Sequence, residues 1–183
     1  MYEKLDDKLD YSNSRHRLEH CLLMPVDQLT RLKRLGMTPS YHINHLLFYG
    51  DALKEHVVGE ERAKQLLPLQ STLEQGLKLT LHADQPMFKS DPLRLIQTAV
   101  QRETQSGQTI NAEQQITIQD ALKAMTIDAA WQIRKEDKLG SLSIGKYADF
   151  IILDRNPLQA EVSDLHTINC LETYVAGNRV ATD

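Results

Sequence analysis

The sequence has little cysteine and no excess of basic residues. Two cysteines, Cys21 and Cys170, occur in 183 residues, and they lie far apart and form no CxxC pair. This spacing excludes a disulfide framework and a zinc site built from cysteine alone, and it makes a reducing, cytoplasmic location the expectation. Lysine and arginine total 21 against 25 aspartate and glutamate residues, giving a formal net charge of −4. We therefore expect no nucleic-acid partner.

Long apolar runs are also missing. No stretch approaches the roughly 20 apolar residues that a membrane-spanning helix needs. The first eight residues are highly charged and lack the apolar core of a secretory signal. We expect no membrane partner. Apolar residues make up 41% of the chain and charged residues 25%, which is typical of a folded globular protein.

Strand-like and helix-like patterns alternate along the chain. Apolar spacing predicts strands at 15–23, 37–42 and 77–83, each followed by a helix, at 27–35, 60–75 and 92–102. This order is typical of an α/β fold built from parallel βαβ units. Residues 45–59 are predicted to form a long loop between the second strand and its helix.

The last third of the chain has a different pattern. Thr117 with Asp120 resembles a capping box and predicts a helix over 117–134. Residues 150–153 form an apolar run that predicts a buried strand, and 171–180 alternate around Gly177-Asn178, which indicates a hairpin. We therefore divide the chain into a polar segment (1–14), an α/β part (15–135) and a small β part (136–183).

Polar side chains that can bind metal follow each predicted parallel strand. Because the carboxyl ends of such strands meet at one edge, these groups are expected to lie near one another, at the position where α/β proteins bind ligands. Imidazole and carboxylate are both ligands of zinc-like ions. Each residue alone also fits a structural role, as a hydrogen-bonded histidine or a turn aspartate. The candidates are Glu19 and His20, His42 and His45, and His82 and Asp84.

Several motifs, in order, resemble the metal-dependent amidohydrolases, in the branch that includes N-substituted formamide deformylase. Residues 17–20 (Arg-Leu-Glu-His) resemble the R-[IL]-E-H motif of that family, and 81–86 (Leu-His-Ala-Asp-Gln-Pro) resemble its H-[SA]-D-x-P segment. Residues 37–51 are similar to the strand and loop that lie between these two motifs in the family. Residues 140–154 resemble the G-S-[IL]-x-x-G-K-x-A-D signature, and the likeness extends over roughly residues 15–182.

This resemblance implies a (β/α)8 barrel with a small β-domain, of which 15–135 would form the last three βα units. It implies that His20 and Asp84 bind a divalent metal, with zinc expected. Asp84 would also act as general base on metal-activated water, and His45 would contact the substrate. The implied activity is hydrolysis of non-peptide carbon–nitrogen bonds in a small amide or formamide.

The family's H-x-H strand and its middle-strand ligand have no counterpart in this sequence. A catalytic zinc usually takes about three protein ligands, and a whole barrel needs about 250 residues. We therefore expect a truncated hydrolase with an incomplete metal site, and the activity of the chain alone is left open. The alternative is a non-catalytic assembly module, or a piece of a longer enzyme. In either case self-association, or a partner that supplies the missing strands, would cover the open sheet edges.

Overall fold

The computed structural model describes residue 11 and residues 13–180, and this part contains two three-stranded β-sheets. Most of the predicted segment 1–14 lies outside the described residues. Within them, no helix has the length and apolar composition needed to cross a membrane. The strands are β1 (Arg17–His20), β2 (Thr38–His42), β3 (Thr80–His82), β4 (Phe150–Leu153), β5 (Cys170–Val175) and β6 (Asn178–Val180). The α-helices are α1 (Val26–Arg34), α2 (Asn44–Ala52), α3 (Gly59–Ala63), α4 (Leu69–Glu74), α5 (Pro92–Gln101), α6 (Ile118–Met125) and α7 (Ile127–Gln132).

The first sheet is parallel, and its strands lie side by side in chain order, β1-β2-β3. Helix α1 connects β1 to β2, and helices α2 to α4 lie between β2 and β3. All five residues of the central strand β2 are buried. The Tyr41 ring and Leu29 of α1 belong to the same apolar core, and the Tyr41 hydroxyl lies 2.6 Å from that of Thr72. The predicted α/β fold with a parallel sheet is confirmed.

The prediction of a loop over 45–59 is wrong. Helix α2 covers Asn44–Ala52, and a π-helical turn continues it through Leu53–Val58. Four apolar residues follow one another at 46–49, so apolar side chains surround this helix and do not form a single stripe. The periodicity that indicates an amphipathic helix is therefore missing.

Two helices predicted as continuous are interrupted. The predicted helix 60–75 is split, because Pro68 cannot continue it and precedes the new helix α4. The predicted helix 117–134 begins as expected, with the Thr117 hydroxyl accepting the Asp120 amide at 3.0 Å. It is broken at Thr126, whose φ and ψ of −127° and −92° are not helical.

A buried arginine, Arg102, connects the chain before α4 with the loop after α5. The Arg102 side chain is fully buried and donates hydrogen bonds to the carbonyl oxygens of Leu66, Leu67 and Ile110, at 2.8 to 2.9 Å. Burial lowers the pKa of its guanidinium to about 9. The residue therefore satisfies backbone acceptors that would otherwise be buried without donors.

The second sheet is antiparallel, in the order β4-β5-β6. The predicted hairpin is confirmed, but its turn is at Ala176 and Gly177, one residue earlier than Gly177-Asn178. Strand β4 was predicted to be buried, and this is wrong. Ile151 and Ile152 are 53% and 41% exposed. The strands of this sheet contact mainly one another. Leu153 packs against the main core, but Ile151 and Ile152 lack such cover.

Candidate metal centre

Each strand of the parallel sheet ends in a histidine. β1 ends at His20, β2 at His42 and β3 at His82. The register pairs His42 with His82 directly, and His20 with Tyr41 beside them. The three imidazoles consequently gather at one edge of the sheet, where the sequence predicted that polar groups would meet.

Three side chains come close enough to share one cation. His20, His82 and Asp84 each offer a ligand atom, and these atoms lie within 4.8 Å of one another. The Nε2 atom of His20 is 4.0 Å from an Asp84 carboxylate oxygen. Two ligands of one zinc ion lie about 3 to 3.5 Å apart, given bonds of roughly 2 Å in tetrahedral geometry. Small side-chain movements would therefore suffice to coordinate an ion.

The backbone turns sharply at two of these residues. His20 has φ of 70° and Asp84 has φ of 54°, in the left-handed region that non-glycine residues seldom occupy. Such conformations have an energetic cost and occur preferentially at functional sites. Here His20 is the last residue of β1, and Asp84 lies two residues after the end of β3.

His42 is the most buried member of the cluster. It has no solvent exposure, and among the described residues neither of its ring nitrogens has a hydrogen-bond partner. Its ring centroid lies 3.9 Å from that of His45, 5.1 Å from that of His82 and 5.7 Å from that of His20. Burial, followed by the neighbouring His45 and His82, lowers its pKa to about 4. The ring is therefore neutral at neutral pH.

His45 and His82 are also neutral at neutral pH. Burial is the largest cause of a lowered pKa for both imidazoles, and the nearby His20 lowers each further. His45 lies in the first turn of α2, and its ring centroid is 6.2 Å from that of His20. The neutral imidazole is the protonation state that binds metal, so His45 and His82 need no deprotonation near pH 7 before they can coordinate an ion.

The sequence predicted His20 and Asp84 as the metal pair, and the structure brings these two together. It also adds His82, which the sequence analysis placed at a strand end without assigning it a role. A signal for it was present, because residues 82 and 84 are separated by one residue, the separation at which two side chains of a strand share a face. The sequence analysis also placed His42 at a strand end, but its complete burial and its contacts with the other imidazoles depend on the register between β2 and β3.

A cavity of about 950 Å³ lies beside the cluster, over the face of the parallel sheet. Glu19, His82 and Asp84 line one part of it, and apolar residues of α7 line another. The Gln132 amide donates to the Thr38 hydroxyl at 2.9 Å and accepts from the Thr80 hydroxyl at 2.9 Å. The cavity is large enough for a small-molecule ligand, and His82 and Asp84 of the candidate metal group line it.

Comparison with known proteins gives consistent matches. The profile of the amidohydrolase family matches residues 1–181. N-substituted formamide deformylase of Arthrobacter pascens is 29% identical over 161 residues, which cover 88% of this chain and 30% of that protein. Protein LONG AFTER FAR-RED 3 of Arabidopsis thaliana is 32% identical over 181 residues, covering 98% of this chain and 31% of that protein.

A solved structure shares the fold. A metal-dependent hydrolase from Pyrococcus horikoshii OT3 superposes with a TM-score of 0.71 at 30% identity, covering 81% of this chain and 30% of that one. The chain thus spans about a third of the length of the relatives it matches. Because the family profile extends over nearly every residue, the chain belongs to the amidohydrolase family.

Proposed function

We propose that this chain contributes to a metal-dependent hydrolase that cleaves non-peptide carbon–nitrogen bonds in small amides. The observation that carries the proposal is the group of His20, His82 and Asp84, whose ligand atoms lie within 4.8 Å of one another. Membership of the amidohydrolase family and the adjacent cavity support it. The named activity of the deformylase relative, on N-substituted formamides, suggests the substrate class.

The residues present fit a divalent cation. The Nε2 atom of His82 is buried, and no described residue gives it a hydrogen bond, which is costly unless a ligand satisfies it. Two imidazoles and one carboxylate form a donor set that suits zinc and other first-row ions. His20, His82 and Asp84 would hold the ion. We infer zinc from this donor set.

A bound divalent ion would supply Lewis acidity, lowering the pKa of a water to about 7. The carboxylate of Asp84 accepts the proton from the attacking water and delivers it to the leaving amine. Its side chain is 43% exposed and is therefore accessible to water and to a substrate. His45 carries a buried Nδ1 atom without a partner in residues 13–180, and its neutral ring contacts the substrate carbonyl oxygen.

The fold supports a further part of the proposal. Three parallel strands in chain order, with helices between them, fit the last three βα units of a (β/α)8 barrel. In the described chain, β1 and β3 each have one edge without a paired strand, and every residue of β1 is exposed. We propose that a segment supplying further barrel strands covers these edges.

The test combines metal content with turnover. The purified chain is analysed for bound metal by elemental analysis, and it is assayed against N-formyl and N-acyl amines. We expect about one equivalent of zinc and release of formate or of the free acid. A protein that binds no metal and hydrolyses none of these amides contradicts the proposal.

The second candidate is a non-catalytic assembly module, and the unpaired strand edges are the observation that favours it. A module of this kind would pair with a second copy or with a chain carrying the missing strands. Sedimentation velocity distinguishes the cases. A self-associated species without turnover supports the module, whereas a compact, stable monomer is evidence against it.

A further inference from the structure

The three side chains of the candidate metal site come from the two outer strands of the parallel sheet. His20 ends β1, whereas His82 ends β3 and Asp84 follows it. Strand β2 lies between them, and because neighbouring strands are about 4.8 Å apart, β1 and β3 are separated by roughly twice that distance. The ring centroids of His20 and His82 are nevertheless 5.2 Å apart. The site therefore depends on how the two outer strands are held relative to each other.

Strand β3 carries two of the three candidate ligands but has few backbone contacts of its own. It contains only Thr80–His82, which is shorter than the roughly five to six residues of an ordinary strand. It pairs with β2 through three residue pairs, and its other edge has no paired strand in the described chain. Side-chain contacts must therefore contribute much of what fixes its position.

Gln132, the last residue of α7, bridges β2 and β3 from the side of the cavity. Its amide donates to the Thr38 hydroxyl at 2.9 Å and to the Pro39 carbonyl oxygen at 3.2 Å. It accepts a hydrogen bond from the Thr80 hydroxyl at 2.9 Å. Gln132 and both threonines are buried, so water does not compete for these hydrogen bonds. Thr80 and His82 lie on the same face of β3, because residues i and i+2 of a strand share a face.

Helix α7 also contacts the chain just before each outer strand. Arg15 lies two residues before β1, and its guanidinium donates to the Trp131 carbonyl oxygen at 2.9 Å and lies over the Trp131 ring at 4.4 Å. Lys78 lies two residues before β3 and donates to the Asp128 carboxylate at 2.8 Å. The helix that carries Gln132 is therefore connected to both strands that supply candidate ligands.

We propose that Gln132 is a positioning residue for the candidate metal site. By accepting the hydrogen bond from Thr80 while donating to β2, it fixes the position of β3, and with it the approach of His82 to His20. Gln132 acts through β3 and is not itself a ligand. This inference rests on the proposed function, since it concerns the residues to which that function assigns the metal.

The experiment removes one hydrogen bond with little change in shape. Thr80→Val deletes the hydroxyl, Thr80→Ser keeps it, and Gln132→Leu deletes the amide. Competition with a chromophoric chelator measures the zinc affinity of each chain. We expect Thr80→Val and Gln132→Leu each to weaken zinc binding by about 10-fold, at the lower end of the effects of residues outside the ligand set. Thr80→Ser should bind zinc like the parent chain, because the hydrogen bond is retained.

Thr98→Val is the matched control. Thr98 is 3% exposed, similar to Thr80 at 6%, and its hydroxyl donates to the Arg94 carbonyl oxygen at 2.8 Å within α5. Urea denaturation should show a similar loss of stability in Thr98→Val and Thr80→Val, whereas zinc affinity should fall only in the second. Equal losses of zinc affinity in these two variants would indicate general destabilisation and overturn the inference. Weakened binding in Thr80→Ser, or parent-like binding in Gln132→Leu, would also overturn it.

A second measurement needs no metal and separates the two proposals. In the metal-free parent chain, ring protons of His20 and His82 should give a nuclear Overhauser cross-peak, because their centroids are 5.2 Å apart. The cross-peak should weaken in Thr80→Val and persist in Thr80→Ser and Thr98→Val, and its absence from the parent chain contradicts the inference. If the parent chain binds no zinc but the cross-peak responds as expected, the proposed function fails and the positioning role of Gln132 stands. If zinc binds and amides are cleaved, but Thr80→Val changes neither affinity nor cross-peak, the inference fails alone.

Discussion

The carboxyl-end edge of the parallel sheet and the antiparallel sheet β4-β5-β6 leave different kinds of group uncovered. At the first, buried ring nitrogens of His42 and His82 have no partner within the described part of the chain. At the second, polar groups find partners locally, as where the Asp154 carboxylate accepts the Asn169 side-chain amide at 2.8 Å. There the apolar side chains are exposed, including Ile151 at 53%.

This difference indicates what each region requires. Buried polar atoms without a hydrogen-bond partner among the described residues favour binding of a small polar ligand or an ion, because leaving them unsatisfied is costly. Exposed apolar strands favour packing against another protein surface, because burying apolar area contributes roughly 25 cal/mol of stabilising free energy per Å². The carboxyl-end edge of the parallel sheet is therefore suited to binding an ion or a small ligand, and the antiparallel sheet to association with another protein surface.

The largest expected effect concerns the proposed general base. Asp84→Asn preserves the shape of the side chain but cannot accept the proton, so hydrolysis should fall by about 100-fold or more. Asp137→Asn, an exposed aspartate away from the cluster, should leave the rate unchanged. The measurement is turnover of an N-acyl amine, with circular dichroism to verify the fold. Retained turnover in Asp84→Asn removes Asp84 from this role.

The next prediction concerns the metal ligands. His20→Ala and His82→Ala each remove one of three donors, so zinc affinity should fall by at least about 10- to 100-fold. His56→Ala is the control, because its side chain is 77% exposed and lies beside Glu55. Competition with a chromophoric chelator measures the affinities. An unchanged affinity in His82→Ala would mean that it is not a ligand.

A third prediction compares the stability of the two regions. Arg102→Leu leaves the carbonyls of Leu66, Leu67 and Ile110 without their donor and should lower the free energy of unfolding by about 3 kcal/mol or more. Arg179→Leu in β6 breaks an exposed ion pair with Glu172 and should cost less than about 1 kcal/mol. Urea denaturation measures both. Similar losses would contradict the contrast between a buried and an exposed region.

The fourth prediction concerns pH. The pKa of His42 in the folded chain is about 4, below the roughly 6.5 of an unfolded histidine, so the unfolded state binds more protons between these values. The stability of the metal-free chain is therefore complete above pH 6.5 and declines as the pH falls towards 4. His42→Gln should flatten the dependence between pH 7 and 5. Urea unfolding at both pH values tests this, and an unchanged slope in His42→Gln would contradict it.

The smallest effect is expected at the exposed sheet. If the second sheet associates with another copy, Ile151→Lys should weaken the self-association by up to about 10-fold, because a charge replaces apolar area. Ile144→Lys, in the loop before β4, should have no effect, since that residue is fully exposed and lies outside the strands. Sedimentation velocity across protein concentrations gives the result. If the parent chain, Ile151→Lys and Ile144→Lys associate equally, the contact between copies does not involve Ile151.

Much of the fold could be predicted from local patterns. The strand at 38–42 and the helices starting at Pro92 and Ile118 agree with alternation and capping signals in the sequence. The errors have physical causes. Helix α2 is apolar on most sides, so it lacks the single apolar stripe that predicts an amphipathic helix. The exposure of Ile151 and Ile152 depends on whether another layer of structure covers the sheet, and a local apolar run does not reveal this.

The candidate site was predictable to a lesser degree. Local motifs indicated His20 and Asp84, and they placed His45 close to the site. His82 could have been inferred from its one-residue separation from Asp84. The burial of His42 and its contacts with three other imidazoles depend on how two strands align, and that alignment is set by packing across the whole α/β layer.

By itself, the sequence determined the residue types, their order and the alternation of elements, because these follow from side-chain chemistry and short-range periodicity. Only the tertiary structure decided how closely the four histidines pack and which of them share a cation site with Asp84, since the parallel register and the left-handed turns at His20 and Asp84 join positions far apart in the chain. Local propensity acts over a few residues, whereas the free energy that fixes a register is spread over the whole core.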